Sequence, residues 1–254
     1  AGGKGADVRR PRREVHRACV RLTVLSPPAS LLSAIWPAVG LTAALASATT
    51  LVLLILATPL SWWLARSPTS WKDAIAAVVA MPLVLPPTVV GFYLLVVLGP
   101  NGPGGPIAGI WGARTLAFSF GGLLIGSVIY SLPFMVQPLR LAFEEIGQET
   151  LETARTLGAS ERQSFIRVAI PHARRSYIAG TILTFAHTVG EFGVVLMIGG
   201  NIPGQTKVLS ITIFDFIETG QWGVAHALAL AMVVLAFVVV SATMVAQRRP
   251  GSAF

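Results

Sequence analysis

Charge is scarce in this chain. Only 12% of its 254 residues are Asp, Glu, Lys or Arg, where a soluble domain carries about 25%. Acidic residues are the rarer sign, 11 against 19 Lys and Arg. With 54% hydrophobic residues and a mean hydropathy of +0.71, this excludes a solvated globular domain, a disordered chain and a nucleic-acid-binding module, so no nucleic acid is expected as a partner. The single cysteine, Cys19, excludes an intrachain disulfide framework and a cysteine-cluster metal site. No Gly-x-x-x-x-Gly-Lys-Ser/Thr phosphate loop occurs, so ATP hydrolysis by that chemistry is not expected of this chain. No cofactor is implied.

What the chain has instead is long apolar runs. About 20 apolar residues are needed to cross a bilayer as a helix. Five segments qualify, at about 38–64, 74–98, 116–139, 176–200 and 223–246. The expected fold class is all-α, a polytopic membrane protein of about five spans. Trp36, Trp62, Trp63, Trp71, Trp111 and Trp222 fall at or just outside the ends of these segments, as an interfacial belt requires.

Basic residues set the orientation. The loop 140–175 holds Arg140, Arg155, Arg162, Arg167, Arg174 and Arg175. Arg66 and Lys72 lie in the first loop, and Arg248 and Arg249 follow the fifth span. With five spans these regions share one side, which is therefore cytoplasmic. The other side holds only Arg114 and Lys207. The basic tail 1–35 breaks the pattern, because five spans place it outside. A sixth span over 20–35 is too short and is interrupted by Pro27-Pro28. The tail is expected to be poorly ordered; 249–254 is a short C-terminal tail.

Two spans carry features that a plain lipid anchor has no use for. The second reads Met81-Pro-Leu-Val-Leu-Pro-Pro-Thr-Val-Val-Gly91. Pro82, Pro86 and Pro87 each remove a backbone donor. Irregular backbone at membrane depth is tolerated only in protein or against a wet cavity. This helix is therefore expected inside the bundle, its unwound part lining a path, with Thr88 bonding a freed carbonyl. The fourth span contains Thr184-Phe-Ala-His-Thr-Val-Gly-Glu-Phe-Gly193. On one continuous helix His187 and Glu191 would share a face. A membrane carboxylate faces the bundle interior or water. It is open to proton relay, cation binding, gating against His187 or a helix end, or a structural bond to backbone broken around Gly190 and Gly193.

The loop 140–175 is charged and helix-forming. Residues 148–157 read as a short helix, with Leu151, Ala154 and Leu157 spaced i, i+3, i+6 and Gly158 as its C′ residue. Ser160-Glu161-Arg162-Gln163 has the form of a capping box. The second helix is expected to stop at Pro171, with Phe165, Ile166, Val168 and Ile170 giving it an apolar surface. Two short helices at a glycine corner make a docking element.

These residues resemble a known family. Glu152-Thr-Ala154-Arg-Thr-Leu-Gly158, nine residues, then Val168-Ala-Ile170-Pro171 looks like the EAA loop of ABC importer permeases, Glu-Ala-Ala, three residues, Gly, nine residues, Ile-x-Leu-Pro. Glu152, Ala154, Gly158 and Pro171 match. Thr153, Val168 and Ile170 depart, the last two as aliphatic swaps. The segments 81–91, Gly190-Glu-Phe-Gly193 and Asn201-Ile-Pro-Gly-Gln205 resemble the molybdate permeases within that family, with sulfate and thiosulfate permeases as near relatives.

The resemblance implies a type I importer permease domain over about 36–248, working as a dimer in the cytoplasmic (inner) membrane. Its partners are then two cytoplasmic ATPases that grip the loop, a second copy of the permease, and a periplasmic or lipoprotein molybdate-binding protein. Glu152, Ala154, Gly158, Val168, Ile170 and Pro171 would couple to the ATPase. Pro82, Pro86, Pro87, Thr88, Gly190, Glu191 and Gly193 are the path or gate candidates. Tungstate, sulfate or thiosulfate are alternative cargoes. A secondary transporter coupled through Glu191 is a more remote reading, because internal repeats are lacking. An intramembrane enzyme using His187 and Glu191 lacks a nucleophile or metal set.

Overall fold

A computed structural model describes residues 29–110 and 112–247, and these are helical with no strand among them. Three helices are long and apolar enough to cross a membrane, and two bent helix pairs bring the number to five if each pair is one span. The basic tail, up to residue 28, the candidate sixth span over most of its length, Trp111 and 248–254 lie outside the described residues.

Helix α1 (Ala29–Arg66) is the first span and continues through Pro37 and Pro59. Hydroxyls stand in where lipid offers no water: Thr42, Thr50 and Thr58 donate to the carbonyls of Ala38, Ala46 and Leu54 at 2.7, 2.7 and 2.6 Å. Each is an i to i−4 bond that keeps a hydroxyl paired inside the span.

The second span is split. Helix α2 (Trp71–Ala80) runs into a 3₁₀ turn (Met81–Leu83), and helix α3 (Pro87–Leu98) starts afresh. The two helices meet at 110°. Three prolines in six residues leave too few donors to carry one ladder across. The turn carries its own bonds, Val84 N–H and Leu85 N–H to Met81 O, both at 3.0 Å. This corrects the expectation of an interior helix: Met81, Leu83 and Val84 are exposed on this chain, Val84 by 86%.

A short helix α4 (Gly104–Gly109) leads toward helix α5 (Phe120–Glu144). Ser119 caps α5 by accepting from Gly122 N–H at 3.1 Å. The span runs five residues beyond the expected end at 139, because Arg140 and Glu144 pair at 2.7 Å on its last turn. Helix α6 (Gln148–Thr156) and helix α7 form the loop. Helix α7 begins at Glu161–Ser164, widens into a π-helical stretch (Phe165–Ala169) and ends in the turn Ile170–His172. Pro171 therefore does not stop the helix where expected. The wider π turn takes up a residue that has no donor.

Helix α8 (Arg174–Gly190) and helix α9 (Gly193–Gly199) make the fourth span, bent by 59°. Helix α10 (Leu209–Glu218) was not foreseen from the sequence and precedes helix α11 (Trp222–Gln247), the fifth span. Only 6% of the most apolar window of α11 is buried in the chain, so most of that helix faces outward.

The centre of the bundle is α1 against α5, with α8 laid on both. One core joins Leu53, Ala57, Leu64, Met135, Leu139 and Phe143 of the spans to Leu151 and Ala169 of the loop. Separate clusters serve the opposite half, around Leu45, Leu123, Val195 and Ile211, and around Leu98, Val194 and Ile198.

Candidate coupling loop and broken-span junction

The loop is seated by its neighbours before it is shaped by its own sequence. Leu151 is 6% exposed and joins the core, while Phe165 and Val168 pack against it. Trp62 packs edge-on against Phe143 at 5.3 Å and lies 5.0 Å from Phe165. Trp62 is thus a core residue under the loop and not part of an interfacial belt. Arg66, last residue of α1, donates through Nη2 to Phe143 O and Ile146 O at 2.7 and 2.6 Å, and its guanidinium lies 5.3 Å from the Trp62 ring centre. The sequence reading used Arg66 only as a topology charge. Its role as a clasp between α1 and the end of α5 has no signal in a single sequence.

Local chemistry then fixes the corner. Gly158 has φ +86°, a conformation that costs other L-residues about 1–2 kcal/mol. Leu157 and Gly158 return bonds to Thr153 O and Arg155 O at 3.1 and 2.9 Å. The capping box is present in both directions: Ser160 Oγ accepts from Gln163 N–H at 3.2 Å, and Gln163 Oε1 accepts from Ser160 N–H at 2.9 Å. What the corner presents outward differs from the expected apolar face. Glu152, Gly158 and Pro171 are exposed, Ala154 and Ile170 half-buried. Leu157 is 84% and Ile166 48% exposed. Val168 belongs to the anchor as much as to the outer face.

Two of the path candidates, Gly193 and Pro87, meet where the two broken spans touch. Gly193 opens α9 directly over Pro87 at the start of α3; a Cβ at Gly193 would lie 2.7 Å from Pro87 Cβ. Gly91 repeats this one turn on, where a Cβ would meet Met197 Cβ at 2.8 Å. Pro86, Pro87 and Thr88 are exposed on the same side, and Pro82 half-buried. Thr88 donates to no freed carbonyl among the described residues, contrary to expectation.

His187 and Glu191 do not share a helix face. Glu191 is the C-cap of α8, with ψ 130°, so its side chain leaves the helix path. His187 stacks on Phe134 at 4.0 Å and shares a hydrogen bond with Ser131 Oγ through Nδ1 at 2.9 Å. Ser131 is also 3.1 Å from Thr188 Oγ1. Glu191 is 4% exposed; its carboxyl lies by the buried Ser127 hydroxyl, and no hydrogen bond of ordinary geometry joins the two. The carbonyl freed by the break is taken instead by Ser210 of α10, which donates to Glu191 O at 2.6 Å. On the far side, Asp215 accepts from Asn201 Nδ2 at 2.9 Å and pairs with Lys207. No group of three or more His, Cys, Asp or Glu suited to a metal occurs among the described residues.

A bundle of broken and continuous spans, with a helical elbow rooted in its core, defines a polytopic membrane transport subunit. The chain belongs to the family described as binding-protein-dependent transport system inner membrane component, which matches residues 57–250. It is a multi-pass protein of the cytoplasmic membrane. It is 55% identical to the molybdenum transport system permease protein ModB of Azotobacter vinelandii over 81% of this chain and 91% of that protein. To ModB of Escherichia coli K12 it is 36% identical over 79% and 90%, and to the sulfate transport system permease protein CysW of a Synechocystis species 31% over 80% and 76%. In fold it resembles a chain of a bacterial alginate ABC transporter, solved with an alginate pentasaccharide-bound periplasmic protein, at a TM-score of 0.69 with 14% identity, covering 93% of this chain and 88% of that one.

Proposed function

We propose that this chain is the permease subunit of an ATP-driven importer that carries molybdate across the cytoplasmic membrane. One observation carries the cargo: identity to the Azotobacter molybdenum permease is 55%, against 31% to the Synechocystis sulfate permease, over similar shares of this chain. The chain itself is non-catalytic in this scheme, and a pair of cytoplasmic ATPases supplies the work. They grip the elbow at Glu152, Ala154, Gly158, Val168, Ile170 and Pro171. Because the elbow shares its core with α1 and α5, a push there moves those spans as one body.

The path runs along the junction of the broken spans, past Pro82, Pro86, Pro87, Thr88, Gly190, Glu191 and Gly193. Support comes from exposure. An irregular, apolar turn at 81–86 faces out of the single chain, and lipid does not accept unwound backbone. A second copy of the permease covers it, leaving the path between the two. A dianion moving there meets backbone amides and helix ends rather than fixed arginines, which lets it leave as readily as it enters. Selection of the anion then falls to the separate molybdate-binding protein.

The test is uptake of radiolabelled molybdate into vesicles holding this permease, its cognate ATPase and its binding protein. Uptake should require ATP and resist excess sulfate. Sulfate displacing molybdate would move the cargo to the sulfate reading. Uptake without the ATPase would overturn the importer and favour a secondary transporter working through Glu191.

A further inference from the structure

We infer that Ser210 is a positioning residue of the broken fourth span: its hydroxyl, reaching over from α10, fixes the break at Glu191 and Phe192 and so holds Gly193 against Pro87. Ser210 belongs to none of the coupling or path sets named above.

The break creates an acceptor that its own span would otherwise use. In a continuous helix the carbonyl of residue 191 takes the N–H of residue 195. Here the backbone leaves the helix at Glu191, with φ −67° and ψ 130°, and Phe192 follows at φ −125° and ψ −56°. The ladder of α9 starts one residue later, with Leu196 N–H donating to Phe192 O at 2.8 Å. Neither break residue is a glycine, and both have negative φ, so the backbone by itself does not impose the bend. The partner for the Glu191 carbonyl comes from another element: Ser210 Oγ donates to it at 2.6 Å across 19 residues of chain. An unpaired carbonyl at membrane depth is costly, so this bond holds the break in its present shape.

A second contact grips the next residue. The Phe192 ring lies 5.3 Å from that of Phe214, also on α10. Ser210 and Phe214 are four apart and share one helix face, so a single face of α10 holds both residues of the break. The helix that does this is itself rooted. Leu209 N–H donates to Thr42 Oγ1 of α1 at 2.8 Å. Val208 and Ile211 are buried with Leu45, Leu123 and Val195. Near its other end Asp215 ties α10 to Asn201 and Lys207. The brace thus joins the unbroken first span to the broken fourth in the half opposite the elbow, and a shift of α10 is passed to the Gly193–Pro87 contact through one hydroxyl and one ring.

The gating consequence rests on the importer reading above, whereas the positioning claim is measured without transport. The importer, assembled with its ATPase in nanodiscs, is exchanged in deuterated buffer, and peptides covering 191–196 are followed by mass spectrometry. Ser210→Ala should quicken exchange there about fivefold, the weight of one ordinary hydrogen bond in a local opening equilibrium. Ser210→Thr keeps the donor and should restore the parent rate. Thr212→Val is the control for a merely structural loss: it deletes another buried hydroxyl of α10, one that donates within the helix to Val208 O at 3.0 Å, and should leave 191–196 unchanged. Uptake per assembled complex should then split in Ser210→Ala, with a maximal rate several-fold lower at an unchanged half-saturating concentration of loaded binding protein. If the alanine variant does not assemble, Phe214→Leu loosens the companion contact and takes its place with a smaller effect. A parent without ATP-dependent uptake would undo the importer reading and leave the exchange result standing. The inference is overturned if the variant exchanges like the parent over 191–196, if Thr212→Val quickens exchange as much, if Ser210→Thr does not restore it, or if uptake by the quickened variant stays at the parent rate.

Discussion

Gly193→Ala is the sharpest probe of the broken-span junction. The added Cβ would sit 2.7 Å from Pro87 Cβ, whereas unbonded carbons settle at about 3.5–4.0 Å. Helix α9 would have to withdraw from α3 by roughly 1 Å. Pro87 offers little relief, since its ring fixes φ at the first turn of α3. Overpacking of this kind costs about 1–3 kcal/mol, and the better helix propensity of alanine returns at most about 1 kcal/mol. The net expectation is a loss of about 1–2 kcal/mol. Gly190→Ala is the control inside the same motif. No atom lies within 4 Å of a Cβ there, and the residue closes α8, so alanine should be neutral or slightly stabilising. Both variants are purified with their partners, melted by fluorescence-detected size exclusion, and assayed for binding-protein-dependent uptake. Gly193→Ala should melt a few degrees lower and transport less, and Gly190→Ala should melt with the parent. The reasoning fails if Gly193→Ala is indistinguishable from the parent, or if Gly190→Ala loses as much.

Three further outcomes follow from the same geometry. Gly158→Ala places a Cβ in open space, so its cost is the left-handed backbone alone, about 1–2 kcal/mol at the elbow; ATPase recovered by pull-down should fall from Gly through Asn and Asp to Ala at this position, and unchanged recovery with Ala would count against the coupling role. Glu191→Gln keeps the shape of a buried side chain and removes its capacity to ionise, so thermal stability should hold or rise while uptake drops, and uptake equal to that of Glu149→Gln, an exposed loop carboxylate, would refute a special role. Arg66→Met gives up two charge-assisted bonds to Phe143 O and Ile146 O, about 3–6 kcal/mol in all; hydrogen exchange in α6 and α7 should quicken, and Lys should rescue only in part because a point charge lacks the guanidinium fork.

Local signals were legible in the sequence, and pairings across the bundle were not. The apolar runs gave all five spans because a bilayer demands length and little else. Gly158 and the Ser160 to Gln163 box were readable because each acts within four residues of itself. The same local rule misled at Pro171, where a π turn seated on the core through Ala169 carries the helix past the proline. It also misled at Glu191. Spacing of four implies a shared face only if the helix continues, and the break after Gly190 was written in the motif only as two glycines. Trp62 lay at a span end like its neighbours, but the elbow folds back over it, and no composition rule distinguishes a tryptophan covered by a loop from one resting in headgroups.

The two breaks are best understood together. α1 and α5 run unbroken through both halves of the bundle, contributing Leu45 and Leu123 to one cluster and Leu53 and Met135 to the other. Spans two and four are each divided. α2 contributes Val79 and the approach to α8 contributes Ala173 to the core that holds the elbow, while α3 and α9 contribute Leu98, Val194 and Ile198 to a separate cluster. The breaks therefore fall where one packed unit ends and another begins. Packed cores resist continuous deformation, so any relative motion of the halves is expected at 81–86 and 191–192, where the two helix pairs are bent by 110° and 59°. Gly193 over Pro87 places the two breaks in contact. On the coupling role proposed above, a displacement delivered through the elbow reaches both at once, so a single methyl group at Gly193 should weigh more on transport than a substitution on the exposed face of α11.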